Sequence, residues 1–276
     1  MMMRRKTAFL DVALVFLLIL GLAVGSVVAY LSDGSNALYP DAPGATVYKG
    51  SGVSIDLSNA SEGYVMIKAS SKKKLKLRIV KGDMTLTYDL PTGDYQTIPL
   101  QAGSGTYQAL VFQQVRGSQY SQLYSKKFKA EIPDETRYAL YPNQYVWYDD
   151  ASKAVAKGRE LCEGLPSDRE KAKAVIDFVT GTVLYDHIKA KTVESGYLPI
   201  VDDTLDTKKG ICFDYAALVA TMLRTQGVKC KLVIGYADKY YHAWNEVLLD
   251  GNWVRYDTTS MVTGLQVIKY TTERVY

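Results

Sequence analysis

Residues 210–217, Gly-Ile-Cys-Phe-Asp-Tyr-Ala-Ala, indicate the fold of the second half of the chain. They open an apolar run with helical spacing that continues to about Thr225, and Gly227 follows in a position that commonly ends a helix. The sequence therefore predicts a helix with Cys212 at its N-terminus. Unpaired backbone N–H groups and the helix dipole at that end favour a thiolate, so this position suits a nucleophile.

A β-hairpin is predicted after this helix. Residues 241–249 and 253–259 have strand character, and between them lies Asp250-Gly251, a pair that favours tight turns. In the register that places Leu249 opposite Asn252, opposite charges face each other across the hairpin and so do like apolar side chains. A further strand is predicted at residues 228–237, immediately before the hairpin.

The predicted register brings a histidine and a carboxylate together. His242 and Asp257 become diagonal neighbours on one face, with Cβ atoms about 7–8 Å apart, within reach of a hydrogen bond. We therefore predict that Cys212 is the nucleophile, His242 its acid/base partner and Asp257 the residue that orients the imidazole. His187 would be the base if the hairpin interpretation failed, but no orienting residue accompanies it, which favours a surface or structural role.

Three ordered motifs carry a resemblance to a known family. Gly-x-Cys-x-Asp-Tyr-Ala at 210–216, His-Ala-Trp-Asn-Glu-Val at 242–247 and Trp-x-x-Tyr-Asp-Thr-Thr at 253–259 resemble the transglutaminase-like superfamily over approximately residues 150–260. The resemblance implies an α+β papain-like transglutaminase core with a Cys-His-Asp triad. By position it assigns these roles to Cys212, His242 and Asp257, the residues already chosen from their chemistry.

The resemblance also implies a reaction class, namely acyl transfer from an amide of a peptide or protein substrate, possibly a cell-wall peptide. Animal cross-linking enzymes resemble this chain around the nucleophile but have tryptophan where it has Phe213, and acidic calcium loops are not recognisable here. We therefore favour hydrolysis over cross-linking. The alternative is a non-catalytic module whose papain-like cleft binds a peptide or cell-wall component without cutting it.

The first half of the chain predicts a different architecture. Residues 46–133 contain repeated short runs in which apolar and polar side chains alternate, as in Lys74-Leu75-Lys76-Leu77-Arg78-Ile79. Seven or eight such strands predict an antiparallel β-sandwich. Residues 134–276 then form the transglutaminase-like domain, in which helices are predicted at 151–162 and 168–179, and residues 185–209 are expected to form a long irregular loop beside the binding site.

The N-terminus predicts export from the cytoplasm. Arg4, Arg5 and Lys6 precede an apolar run from Val12 to Leu31, and residues 1–31 are therefore either a signal peptide or a transmembrane anchor. Residues 32–45 have the composition of a linker. Both interpretations place the remaining chain outside the cytoplasm, with the membrane as a partner if the segment is retained.

Charge and cysteine spacing argue against several classes of ligand. The net charge is +4, and much of it lies in the first dozen residues, which gives little reason to expect a nucleic-acid ligand. The spacing of Cys162, Cys212 and Cys230 matches neither a disulfide framework nor a metal site, so we expect no metal and no cofactor. We expect Cys162 and Cys230 to be small buried side chains, with a disulfide between them as the minority alternative.

Overall fold

Alternating apolar side chains organise residues 47–130 into eight strands in the computed structural model, which describes residues 36–276. Within residues 75–79, 86–90 and 107–111 the buried positions recur at every second residue, as they do in a sheet with one face turned to the core. The strands are β1 (Val47–Gly50), β2 (Val53–Asp56), β3 (Tyr64–Ala69), β4 (Leu75–Lys81), β5 (Met84–Leu90), β6 (Gln96–Pro99), β7 (Gly105–Arg116) and β8 (Gln119–Ala130).

These strands form two antiparallel sheets, with the orders β1-β2-β3-β6 and β5-β4-β7-β8. In β4 the side chains of Leu77 and Ile79 are fully buried, whereas Arg78 between them is exposed. Ile55 and Ile67 of the first sheet belong to the same hydrophobic cluster as these residues of the second sheet. Two sheets that share one apolar interior are the arrangement that a β-sandwich requires; the domain boundary between residues 133 and 134 stays a prediction.

The described part of the predicted linker, residues 36–45, contains neither helix nor strand. It is nevertheless packed, because Leu38 and Ala42 contact a small cluster that includes Tyr64 of β3. The Asp41 carboxylate also accepts a hydrogen bond from the Tyr64 hydroxyl at 3.2 Å. This stretch therefore adheres to the first sheet.

The chain after Pro133 is mixed, with helices as well as strands. Asp168–Thr182 begins at a helix cap, where the Ser167 hydroxyl accepts the Glu170 backbone N–H at 3.3 Å. The helices are α1 (Lys153–Cys162), α2 (Asp168–Thr182), α3 (His187–Thr192), α4 (Val201–Thr207), α5 (Cys212–Arg224) and α6 (Thr258–Thr263), and short 3-10 turns occur at Ala60–Glu62 and Arg137–Leu140.

Helix α5 is the centre of this half. All of its residues from Asp214 to Arg224 are buried, because α1, α2, α4 and two strands pack around it. The Arg224 guanidinium at its C-terminal end donates hydrogen bonds to the backbone oxygens of Tyr141 (2.6 Å), Cys230 (2.8 Å) and Tyr276 (2.8 Å). These bonds compensate a buried charge and hold three distant segments together.

A third antiparallel sheet lies against α5. Its strands are β11 (Cys230–Ala237), β12 (Tyr240–Leu249), β13 (Asn252–Tyr256) and β14 (Tyr270–Val275), in the order β13-β12-β11-β14. The predicted hairpin register is confirmed, since Leu249 pairs with Asn252 and Glu246 with Arg255. The predicted extent of the second strand was wrong, because β13 ends at Tyr256 and the chain turns into α6.

The prediction that residues 185–209 form one long irregular loop was also wrong. This stretch contains α3 and α4, and its ends form the short parallel pair β9 (Leu184–Tyr185) and β10 (Lys209–Gly210). Asp186 caps α3 by accepting the backbone N–H groups of Ile188 and Lys189. Six- and seven-residue helices are too short to produce a clear helical pattern in a sequence.

Strand β14 was not predicted, and it depends on a glycine in its neighbour. Gly235 of β11 faces β14 at a register shift, and a Cβ at this position would collide with the backbone carbonyl oxygen of Thr271. Glycine therefore permits the two backbones to approach closely. The same β11 residue pairs with His242 of β12 on its other side.

The prediction that Cys162 and Cys230 are small buried side chains is confirmed. Cys162 and Cys230 are buried and carry free thiols, so the minority disulfide alternative does not hold.

The predicted export segment, Val12 to Leu31, lies outside the described residues. Within residues 36–276 the structure contains no helix of the length and apolarity needed to cross a membrane.

Gly235→Ala should destabilise the protein by about 1–3 kcal/mol, because the added methyl group forces β14 away from β11. Urea unfolding followed by tryptophan fluorescence measures the change. Gly181→Ala in α2 is the matched control, since a Cβ there meets no atom within 4 Å, and it should be neutral or stabilising by about 0.4–1 kcal/mol. Equal stability of Gly235→Ala and the wild type would contradict the close approach.

Candidate active site

Cys212 is the first residue of α5, and its side chain is half-buried at the boundary between the core and an open cavity. The Asp214 carboxylate accepts the Ile211 backbone N–H at 2.8 Å and so caps this end of the helix. The remaining N–H groups of the first turn and the helix dipole favour negative charge on the sulfur. The predicted position of Cys212 at a helix N-terminus is confirmed.

His242 and Asp257 are brought together as the register predicted. His242 lies in β12, Asp257 directly follows β13, and His242 Nε2 is 2.9 Å from Asp257 Oδ2, with both side chains buried. Asp257 is no longer part of the strand, because it caps α6 by accepting the Ser260 backbone N–H at 3.0 Å. Its carboxylate is therefore fixed by a helix N-terminus as well as by the histidine.

The imidazole connects the carboxylate to the thiol. The Cys212 side chain is close enough to the His242 ring to interact with it, and the Asp257 carboxylate lies at the Nε2 atom of the same ring. The imidazole is therefore placed between a thiol and a carboxylate. The structure thus brings together all three residues that the sequence selected, whereas His187 is exposed at the start of α3.

Two further residues bind the carboxylate, and the sequence analysis missed both. Asp257 Oδ2 accepts hydrogen bonds from Ser260 Oγ at 2.5 Å and from the Tyr270 hydroxyl at 2.8 Å. The Tyr270 ring also packs edge-on against Trp244, with 5.0 Å between ring centroids. The Asp257-x-x-Ser260 spacing of a helix cap could have indicated Ser260, but Tyr270 lies on the unpredicted strand β14.

Electrostatics favours the charged forms of this pair. Burial opposes protonation of His242, but its hydrogen bonds to Asp257 and Cys212 outweigh burial and raise its pKa from 6.5 to about 9. Burial likewise opposes ionisation of Asp257, but hydrogen bonds from His242 and Ser260 outweigh it and lower its pKa to about 2. An imidazolium beside an ionised carboxylate is therefore the stable state near neutral pH.

Cys212 and His242 open into a cavity of about 490 Å³. Its walls include aromatic rings and come from several elements, among them β5, which contributes Asp89, and the segment that follows β8. Gln144 of that segment holds Asp89 in place. Its side-chain amide oxygen accepts the Asp89 backbone N–H, and its amide nitrogen donates to the Asp89 carbonyl oxygen at 2.8 Å. The cavity is also lined by Tyr145, Glu194, Tyr197, Phe213, Ile234, Tyr241, Ala243 and Arg274.

A buried ion pair fixes one wall of this cavity to the helix that carries Cys212. The Asp214 side chain is fully buried, and it accepts hydrogen bonds from Lys189 Nζ at 2.7 Å and from the Tyr197 hydroxyl at 2.5 Å. Burial, together with the hydrogen bond to Asp214 and its negative charge, raises the pKa of Tyr197. The loop after α3 is thereby tied to the first turn of α5.

The described part of the chain, residues 36–276, contains no group of three or more His, Cys, Asp or Glu side chains arranged to hold a metal ion. The functional groups at the cavity are thus a thiol, an imidazole, carboxylates, tyrosine hydroxyls and a guanidinium. A thiol beside an imidazole is suited to nucleophilic attack that is coupled to proton transfer.

The geometry agrees with a family comparison. Residues 153–258 match the model of the transglutaminase-like superfamily. The chain contains a transglutaminase-like domain. The match includes Cys212, His242 and Asp257 but ends before Tyr270 and Arg274, and the antiparallel sheets of residues 47–130 precede it in the α+β fold.

Two curated relatives share part of this chain. A mouse protein named kyphoscoliosis peptidase is 31% identical over 113 residues, which is 36% of this chain and 17% of the relative. The human protein of the same name is 30% identical over 147 residues, which is 49% of this chain and 22% of the relative. The similarity thus covers only about a fifth of the length of these relatives.

Solved structures give more distant similarities. A protein from Cytophaga hutchinsonii, provisionally named a cysteine protease, has 13% identity and a TM-score of 0.40, with 77% of this chain and 91% of that chain covered. Red sea bream transglutaminase has 14% identity and a TM-score of 0.28, with coverage of 71% and 48%. Both TM-scores are below 0.5, so the assignment of the transglutaminase-like domain depends on the family match and on the site geometry.

His242 should titrate near pH 9 in the folded protein. Its pKa lies above the ordinary value of 6.5, so the stability it contributes is fully present below about pH 6.5 and is lost as the pH rises through about 9. NMR of protein labelled in its two histidines measures this, and His187→Gln assigns the signals. Asp257→Asn should lower the pKa of His242, because the carboxylate that stabilises the imidazolium is removed; a wild-type His242 titrating at or below pH 6.5 would contradict the ion pair.

Proposed function

We propose that this protein is a thiol enzyme that acts on amide bonds of peptides or proteins. The observation that carries the proposal is the position of His242 between Cys212 and Asp257, with 2.9 Å between its Nε2 and the carboxylate and with an open cavity on the thiol side. The transglutaminase-like domain and two relatives that are named peptidases support it.

In the proposed mechanism the Cys212 thiolate attacks the carbonyl carbon of the substrate amide. The imidazolium of His242 then protonates the departing amine, and a thioester on Cys212 remains. Asp257 holds the ring in the orientation in which Nδ1 faces the sulfur. The negative charge of Asp257 also stabilises the imidazolium. The Cys212 backbone N–H at the start of α5 would donate to the developing oxyanion.

Water or an amine then resolves the thioester, with His242 as the general base. Water gives hydrolysis, as in a peptidase or amidase, and an amine gives transfer, as in a transglutaminase. We favour hydrolysis, because the mouse and human relatives are named peptidases and because Phe213 stands where the animal cross-linking enzymes have a tryptophan beside the nucleophile. A wall peptide is a candidate substrate within this class.

The proposal also places the enzyme outside the cytoplasm. This part depends on sequence alone, namely on Arg4, Arg5 and Lys6 before the apolar run from Val12 to Leu31. A membrane-impermeant maleimide should then label Cys212 in intact cells in which outer permeability barriers have been opened. Labelling that requires lysis of the cytoplasmic membrane would contradict this location.

Cys212→Ala and His242→Ala should each lower amide turnover by about a thousandfold or more, because nucleophile and base act as one unit. New amino groups and ammonia released from a denatured-protein peptide pool measure turnover, and dansylcadaverine incorporation separates transfer from hydrolysis. Asp257→Asn should lose a factor on the order of 10²–10⁴, because the imidazole is no longer oriented.

Cys162→Ala and His187→Ala are the matched controls, since neither residue contacts the triad, and both should keep wild-type rates. Near-normal turnover by Cys212→Ala would reject the mechanism. Tight peptide binding by the wild type without release of any amine or ammonia would instead favour the binding-module alternative.

A further inference from the structure

A cationic side chain lies in the same cavity, outside the family match. Arg274 belongs to β14, where it pairs with Ile234 of β11, and Ile234 in turn pairs with Ala243 of β12. All three residues line the cavity that contains Cys212, and Ala243 directly follows His242. Arg274 is therefore two strands away from the proposed reaction centre.

The strand spacing gives the backbone separation between Arg274 and the strand that carries His242. Adjacent strands lie about 4.8 Å apart, so the backbones of Arg274 and Ala243 are separated by about 10 Å. An extended peptide advances about 3.3 Å per residue, and this separation corresponds to roughly two or three residues of a bound substrate. A carboxylate two or three residues from the attacked carbonyl therefore matches the length of this separation.

The guanidinium has a hydrogen-bond partner but no counter-ion. Within residues 36–276 no carboxylate lies at ion-pair distance from Arg274, which instead donates to the Tyr241 hydroxyl oxygen and lies 6.0 Å from the centre of that ring. Tyr241 keeps its own O–H proton to donate. Arginine stays protonated at every physiological pH, so this wall of the cavity carries a fixed positive charge.

The other charged residues of the cavity are placed differently. Asp89 is paired with Lys76 at 2.6 Å, which largely offsets its charge. Glu194 is exposed on the loop after α3 and does not belong to the sheet that carries Arg274. The uncompensated charge on the sheet wall is therefore positive.

We propose that Arg274 and Tyr241 form a carboxylate-binding subsite, and that the substrate is a peptide with a carboxylate two or three residues from the attacked amide. A planar guanidinium can bind both oxygens of a carboxylate, and the tyrosine hydroxyl adds a third donor. The inference deepens the proposed function by naming the substrate class. Either an acidic side chain or a terminal carboxylate supplies this chemistry.

Alkylation of Cys212 tests the subsite without requiring turnover. The reagents are N-iodoacetyl-glycine, -diglycine and -triglycine, each as the free acid and as the uncharged amide, applied to the full chain with mass spectrometry to locate the label. The acid should react about tenfold faster than its amide at the best length, because a charge-assisted hydrogen bond contributes on the order of one factor of ten. N-iodoacetyl-Gly-Asp-amide against its Asn analogue tests the side-chain source in the same way.

Arg274→Gln should bring the ratio of acid to amide rates close to one, because the acid loses its charge-assisted hydrogen bonds. Arg274→Lys should retain part of the preference, because the charge remains but the two-oxygen geometry is lost. Lys239→Gln is the matched control, since it removes one positive charge from the exposed hairpin of the same sheet and lines no part of the cavity. Its ratio should equal that of the wild type.

The outcomes separate the subsite from the proposed function. A ratio near one at every reagent length in the wild type, or an unchanged ratio in Arg274→Gln, would overturn the subsite, whatever the turnover assays give. A clear preference that depends on Arg274 in a protein without amide turnover would support carboxylate recognition and remove only the enzymatic proposal. Preference for the glycine acids alone identifies a terminal carboxylate, and preference for the Asp reagent identifies an acidic side chain.

Discussion

Burial of helix α5 from Asp214 to Arg224 is the constraint on which the rest of the structure depends. A helix surrounded by protein must have its terminal polar groups satisfied inside the core, since each unpaired group would cost free energy. Asp214 meets this demand at the N-terminal end by accepting the Ile211 backbone N–H, while Lys189 and Tyr197 hold its carboxylate. At the C-terminal end the carbonyl oxygens of Leu223 and Arg224 accept backbone N–H groups of residues 226–228, and the Arg224 side chain binds three carbonyl oxygens of neighbouring segments. Between these fixed ends, Cys212 has little freedom to move away from the cavity.

The same constraint explains how the remaining functional groups arrive at the thiol. The sheet packs against α5, and Asn245 of β12 donates to the Ala216 carbonyl oxygen of the helix at 2.9 Å. This contact holds β12 so that His242 faces Cys212, and the tight turn after β12 returns Asp257 to the histidine. Strand β14 then supplies Tyr270 to the carboxylate and Arg274 to the cavity wall. Positioning and proposed recognition are thus properties of one sheet.

The first half of the chain is connected to this site by aromatic packing. Tyr145 stacks on Tyr276 with 3.8 Å between ring centroids and lies 6.2 Å from the ring of Phe213, the residue after Cys212. Tyr88 of β5 contacts Tyr145 as well. Because aromatic pairs add to the free energy of burial, the antiparallel sheets stabilise the wall of the cavity in addition to preceding the transglutaminase-like domain.

Much of this arrangement could be predicted from the sequence, because its determinants are local. The hairpin register followed from Asp250-Gly251 and the pairing of Glu246 with Arg255, and that register placed His242 near Asp257. Strand β14 could not be predicted, since its pairing depends on a close backbone approach at Gly235 that leaves no pattern in residues 270–275. Tyr270 and Arg274 were missed for this reason, and helices α3 and α4 were too short to show their period.

The most direct test of the central claim is the rate at which iodoacetamide alkylates Cys212 between about pH 5 and 9, in the wild type and in His242→Ala. We predict that the wild type is alkylated faster than His242→Ala across this range, because the imidazole takes up the thiol proton and the helix N-terminus stabilises the sulfur anion. Equally slow alkylation of both proteins would contradict an activated thiol at the start of α5.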